Sequence, residues 1–278
     1  MFRDLLVPVV LGEVEPVAFE VASAIAVAYG GQVTGLVHVS AITPPMTAWD
    51  YFPEGVYESM NEAARASARA LAQQVEACIA RHSATGSVRI SEGTWLTPPE
   101  AAALHARFAD LSVLGHSHGS GPADMQRAVF AAMLLTSGRP LLKLPAHPRW
   151  PAKLERVAIA WSPRPEAARA VHDAIPLLSG ASVDVVMVEP AVGQPWPVDV
   201  PGADIAEHLA RHGLRVNVVS VSRDGRTTAG ALLDHVNRSD AQLLVCGGYG
   251  HSRLREQVFG GVTRELYERS PVPVLFSH

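Results

Sequence analysis

The chain has 278 residues, long for one ordinary domain and comfortable for two of about 140. With 48% hydrophobic and 18% charged residues, a net charge of −4 and a mean hydropathy of +0.13, it reads as compact globular cores and not as a disordered chain. The balance leaves no positive field for nucleic acid, and the first apolar run, residues 5–11, is too short for a leader or a membrane span.

The first half opens on Leu5-Leu6-Val7-Pro8-Val9, a predicted strand, followed by a helical segment from Pro16 and a second β-branched run at residues 32–39. An Ala-rich stretch, residues 62–81, has helical composition and contains Cys78. Another apolar strand run, residues 109–115, leads into Gly115-His116-Ser117-His118-Gly119-Ser120-Gly121-Pro122. That loop matches the G-x-S-x-G nucleophile elbow and follows a strand, which makes an esterase with Ser117 as nucleophile one reading. An elbow needs its helix directly after the serine, however, whereas the glycines and Pro122 delay it. His116 and His118 have no Cys or carboxylate cluster beside them and read as a loop pair, so no metal site is expected. Ala131 and Ala132 follow, and the half closes on the Pro-led apolar run 139–144.

Three prolines between residues 145 and 153 deny helix and central strand and mark a connection. The expected domains are 1–146 and 154–278, with 147–153 as linker. The second half then repeats the first. A strand at 156–161 precedes a helical segment from Pro165 and a strand at 182–188, and 241–247 is the counterpart of 109–115. The final run, residues 270–276, is the counterpart of 139–144. His172, His208, His212 and His235 fall on helical stretches and read as surface residues, and both cysteines, Cys78 and Cys246, read as buried small hydrophobes. Strands alternating with helices indicate an α/β class, two tandem doubly wound parallel-sheet domains, whose ligands sit beyond the carboxyl ends of the strands.

After the strand ending at Cys246 comes Gly247-Gly248-Tyr249-Gly250-His251-Ser252-Arg253, then Gly260-Gly261-Val262-Thr263, a Gly-x2-Gly-x9-Gly spacing running from strand to helix. Glycines let backbone N–H groups approach an anion, and a helix N-terminus favours negative charge; a tight strand-to-helix turn is the plain alternative. This spacing, with the repeated segments and the Pro271-Val272-Pro273-Val274 ending, resembles the universal stress protein family across nearly the whole chain.

The resemblance implies a Rossmann-like fold of the adenine nucleotide alpha hydrolase-like type and a cytoplasmic stress-response protein that binds ATP or AMP, with or without Mg, as a sensor. It implies at most slow ATP hydrolysis and no catalytic residues. Ala160, Trp161, Ser162, Val188, Gly247, Gly250, His251, Arg253, Gly260, Gly261, Val262 and Thr263 are the implied nucleotide contacts. Two positions depart from the family pattern: Ser162 stands where nucleotide-binding members carry Asp, and Gly261 where Ser or Thr follows the last glycine. The first half has lost the glycines and is expected to be a packing partner. A module without ligand, serving dimerisation or interaction, is the rival reading. Family members often dimerise through the last strand, so the two final strands are expected to pair antiparallel within the chain as a pseudo-dimer, with a true homodimer still open.

Overall fold

The computed structural model describes residues 2–10, 12–41, 55–82, 84–93, 96–116, 123–189, 202–248 and 260–278. The chain divides into two compact units, Met1–Arg139 and Pro140–His278.

The first unit runs β1 (Asp4–Val9), α1 (Pro16–Tyr29), β2 (Gln32–Ser40), α2 (Gly55–Arg81), β3 (Thr85–Gly93), α3 (Pro98–Ala106), β4 (Leu111–Leu114) and α4 (Ala123–Thr136). Its strands lie in the order β3-β2-β1-β4, and the β1–β2, β2–β3 and β1–β4 pairs are parallel. The central strands β1 and β4 are apolar nearly throughout, because a parallel strand is buried on both faces. Helix α1 starts with Pro16, whose missing N–H costs nothing there, and stops at Gly30, which takes the left-handed conformation at φ 62°. Helix α3 is held at its start by a capping box between Thr97 and Glu100.

The second unit runs β5 (Leu141–Lys143), β6 (Arg156–Ala160), α5 (Pro165–Ala174), a 3-10 turn (Ile175–Leu178), β7 (Ser182–Val188), α6 (Ala203–Arg211), β8 (Arg215–Val221), α7 (Thr228–Arg238), β9 (Leu243–Gly247), α8 (Gly261–Arg269) and β10 (Val274–Ser277). The order is β5-β10-β9-β6-β7-β8, and every pair is parallel except β5–β10. From β6 the chain winds outward to β7 and β8, then returns to β9 and β10 on the other side. The β6–β9 boundary is therefore the switch point.

By its contacts strand β5 groups with the second unit. The sequence repeat counts it with the first half, yet it pairs antiparallel with β10, Leu142 opposite Leu275 and Leu141 opposite Phe276. The expected antiparallel meeting of the two final strands is thus present. All four of these side chains are at most 1% exposed, so the pairing closes an apolar edge that β10 would otherwise present. Pro273 sits just before β10, where its missing N–H breaks no ladder bond. Residues 145–153 carry neither helix nor strand.

Candidate functional site

At the switch point of the second unit, beyond the carboxyl ends of β6, β7 and β9, lies a cavity of about 350 Å³. Nine of the twelve sequence-predicted contacts line it: Ala160 at the end of β6 with Trp161 and Ser162 just after it, Val188 at the end of β7, Gly247 at the end of β9, and Gly260, Gly261, Val262 and Thr263 at the start of α8. The other three, Gly250, His251 and Arg253, lie outside the described residues, as do Ser117 and His118 of the esterase reading.

The start of α8 is built as an opening. Its N-cap is Gly260, with no side-chain cap and no acidic residue in the first turn. Gly260 has φ −54° and ψ 137°, which any residue can adopt, and among the described residues a Cβ at Gly260 or Gly261 would meet nothing within 4 Å. Neither strain nor crowding explains two glycines here. What they provide is an unscreened helix N-terminus with room for an anion, which is the fit that a nucleotide phosphate requires.

Gly247 has a different reason. A Cβ there would stand 2.6 Å from the amide nitrogen of Ala167 and the carbonyl carbon of Glu166, so its bare backbone lets α5 seat against β9. The N–H of Trp161 donates to the carbonyl of Val186 at 2.9 Å, extending the β6–β7 ladder beside the cavity that Trp161 lines.

Several lining residues had no signal in the glycine pattern. Glu166 in the first turn of α5, Thr228 at the start of α7 and Arg223 after β8 all line the cavity. Cys246 forms part of the floor; burial first, and the nearby Glu166 carboxylate second, push its thiol up to about 12. The carboxylate of Glu166 and the hydroxyl of Thr263 are the hard oxygen donors on these walls that could face a Mg ion carried in by a nucleotide. Among the described residues no group of three or more His, Cys, Asp or Glu is arranged to hold a metal on its own.

The matching crevice of the first unit is filled. Gln126, buried on α4, donates from Nε2 to the carbonyl oxygen of Gly115 at 2.8 Å, and a Cβ at Gly115 would already meet Glu15 at 3.1 Å. About 10 Å³ remains, no more than one water needs. Ala131 and Ala132 lie inside α4 instead of at its start, so the difference from the second unit exceeds two added methyl groups.

The four helical histidines divide. His172, His208 and His212 meet edge to face with ring centroids 5.1 and 4.8 Å apart, His172 and His212 exposed as expected and His208 partly covered. His235 is not a surface residue: its Nε2 lies 3.0 Å from Asp184 Oδ2, with the side chain 11% exposed under α7. Both cysteines are buried and free.

Fold and crevice together define a Rossmann-like, doubly wound α/β domain with its ligand crevice at the switch point. Residues 153–278 match the model of the Universal stress protein family. Among solved structures, a universal stress protein from Archaeoglobus fulgidus DSM 4304 is 18% identical, with 99% of this chain and 96% of that chain covered at a TM-score of 0.68. A candidate universal stress protein from Pseudomonas aeruginosa UCBPP-PA14 is 14% identical, covering 99% and 93% at a TM-score of 0.58. A universal stress protein solved in complex with cAMP is 19% identical over 52% of this chain and 99% of its own, at a TM-score of 0.38. No curated protein matches the chain. Among the described residues no helix is long and apolar enough to cross a membrane.

Proposed function

We propose that the second unit binds an adenine nucleotide, ATP or AMP, at the β6–β9 switch point, and that the chain acts in the cytoplasm as a nucleotide-responsive regulator of a stress response. The observation that carries the reading is the start of α8, an uncapped helix N-terminus made of two glycines that neither crowding nor a left-handed backbone demands, opening onto a cavity of about 350 Å³. The apolar stretch Ala160, Val186 and Val188 suits the nucleoside, and the cavity falls in the ordinary size range of small-molecule sites. Ser162 supplies a hydroxyl in place of a carboxylate, so the base and ribose rest on backbone groups and apolar contact more than on charge. The match of residues 153–278 to the Universal stress protein family supports the same reading.

Calorimetric titration of the purified chain with ATP and with AMP, paralleled by the fluorescence of Trp161, which lines the cavity, tests it. One site per chain is expected. Absence of heat and of a fluorescence change with both nucleotides would instead favour a ligand-free interaction module.

A further inference from the structure

We propose that this cleft is shaped for an adenine nucleotide carrying a second phosphate on its ribose, and that Arg223 is the residue that reads that phosphate. The inference rests on the nucleotide reading above and narrows its ligand class.

Arg223 follows β8 and lines the cavity, and its Nε is buried without a hydrogen-bond partner among the described residues. Its neighbour shows the contrast. Arg226 is held by Asp224 at 3.0 Å and also by Asp234, whereas Arg223 appears in no ion pair of the described residues. A guanidinium donor withdrawn from water, on a residue that lines a cavity, calls for an acceptor from the ligand. Its planar fork fits a phosphate better than any neutral group of a nucleoside.

Topology places this second contact away from the first. The anion opening of α8 follows β9, while Arg223 follows β8, and in sheet order β6 and β7 lie between. Three strand spacings of about 4.8 Å separate the two walls by about 14 Å along the sheet. One phosphate cannot serve both, but a nucleoside lying over Ala160, Val186 and Val188 can direct its 5′-phosphate to α8 and a ribose phosphate toward β8.

The position after β6 agrees. Ser162 is neutral, so no carboxylate at that point repels a phosphorylated ribose. In doubly wound sheets generally, an acidic residue selects a free ribose hydroxyl, and a nearby Arg accommodates a ribose phosphate. The acidic side chain that does line the cavity, Glu166, belongs to α5 and lies beside Cys246 on the β9 side.

Calorimetric titration of the full chain with AMP, ATP, adenosine 2′,5′-bisphosphate and adenosine 3′,5′-bisphosphate tests this, with Arg223→Gln run in parallel and its melting curve as a folding control. A ribose bisphosphate is expected to bind at least about tenfold more tightly than AMP, the order of one charge-assisted contact, and the 2′ and 3′ isomers separate the position read. In Arg223→Gln that advantage should vanish while AMP affinity stays unchanged. Bisphosphates no tighter than AMP, or a variant that loses AMP and bisphosphate equally, would overturn the role of Arg223 and leave nucleotide binding standing. Failure of all four ligands would overturn both readings.

Discussion

Gly247 meets the first turn of α5 so closely that a methyl group on it would lie 2.6 Å from the carbonyl carbon of Glu166. The glycine at the head of the loop is therefore a packing residue whatever the cleft holds. Gly247→Ala must push α5 away from β9, and overpacking of this kind costs roughly 1–3 kcal/mol. Chemical denaturation should show that loss without any ligand present, and an unchanged midpoint would mean that α5 yields freely.

The opposite holds at the start of α8. Gly260 occupies the N-cap with no side-chain cap, and among the described residues a Cβ there meets nothing within 4 Å. Aspartate is a favoured N-cap residue and complements the helix dipole, so Gly260→Asp should stabilise the chain slightly, by roughly 0.5 kcal/mol. The same carboxylate occupies the anion position and should abolish nucleotide binding. A raised or unchanged melting temperature with lost calorimetric heat is the expected pair of results; full affinity in this variant would remove α8 from the site.

Why the central strands were legible, and the far wall of the cavity was not, follows from burial. Strands β1, β6 and β9 carry near-continuous apolar runs because they are covered on both faces, so the repeat stands out in the residues. Edge strands β3 and β8 expose most of their side chains, so they lack the continuous apolar runs by which the central strands stand out. Arg223 follows β8, so missing that strand meant missing the residue. Glu166 left no motif because it reaches the cavity through the placement of α5 over β9. The pairing of β5 with β10 was readable from Pro273 and two apolar runs, but the assignment of β5 to the second unit depends on tertiary contacts that a repeat cannot reveal.

Cys246 lies on the cavity floor, yet its thiol should be inert. Burial and Glu166 hold it in the protonated form, with a pKa of about 12, and only the thiolate reacts. Cys78 is buried as well. Mass spectrometry after alkylation with iodoacetamide at pH 8 should find neither cysteine modified in the native chain and both modified after denaturation. Rapid native labelling of Cys246 would show that the floor opens to solvent.

Mild acid should destabilise the chain through its histidines. In His105, burial first, then Arg89 and His38, hold the pKa below the ordinary value of 6.5. Arg89 Nη1 lies 3.1 Å from His105 Nδ1 and can only donate, which keeps that nitrogen unprotonated. Burial, then His212, His172 and Arg211, lower His208 likewise. The unfolded chain takes up these protons near 6.5 while the folded chain resists, so the unfolded state binds more protons and stability rises with pH. The contribution is complete above 6.5 and is lost as pH falls below it toward the folded values. Denaturation midpoints measured between pH 7.5 and 5 should fall, and His105→Gln, which cannot be protonated, should flatten part of the slope; an identical slope in the variant would exclude His105 as a source.

The last prediction concerns where the chain can be cut. By sequence repeat the second domain starts near residue 154, but the β10 edge is covered by Leu141–Lys143, and Leu142, Leu275 and Phe276 are all fully buried through that pairing and the surrounding core. A fragment of residues 154–278 keeps β6 to β10 and exposes β10 as an apolar edge strand, the kind of edge that recruits another strand. A fragment of residues 140–278 carries β5 and covers that edge internally. The shorter piece should therefore self-associate, copy against copy along β10, and the longer piece should stay monomeric at the same concentration. Analytical ultracentrifugation of the two fragments decides the matter. Equal monomeric behaviour would show that β5 is dispensable to the second unit.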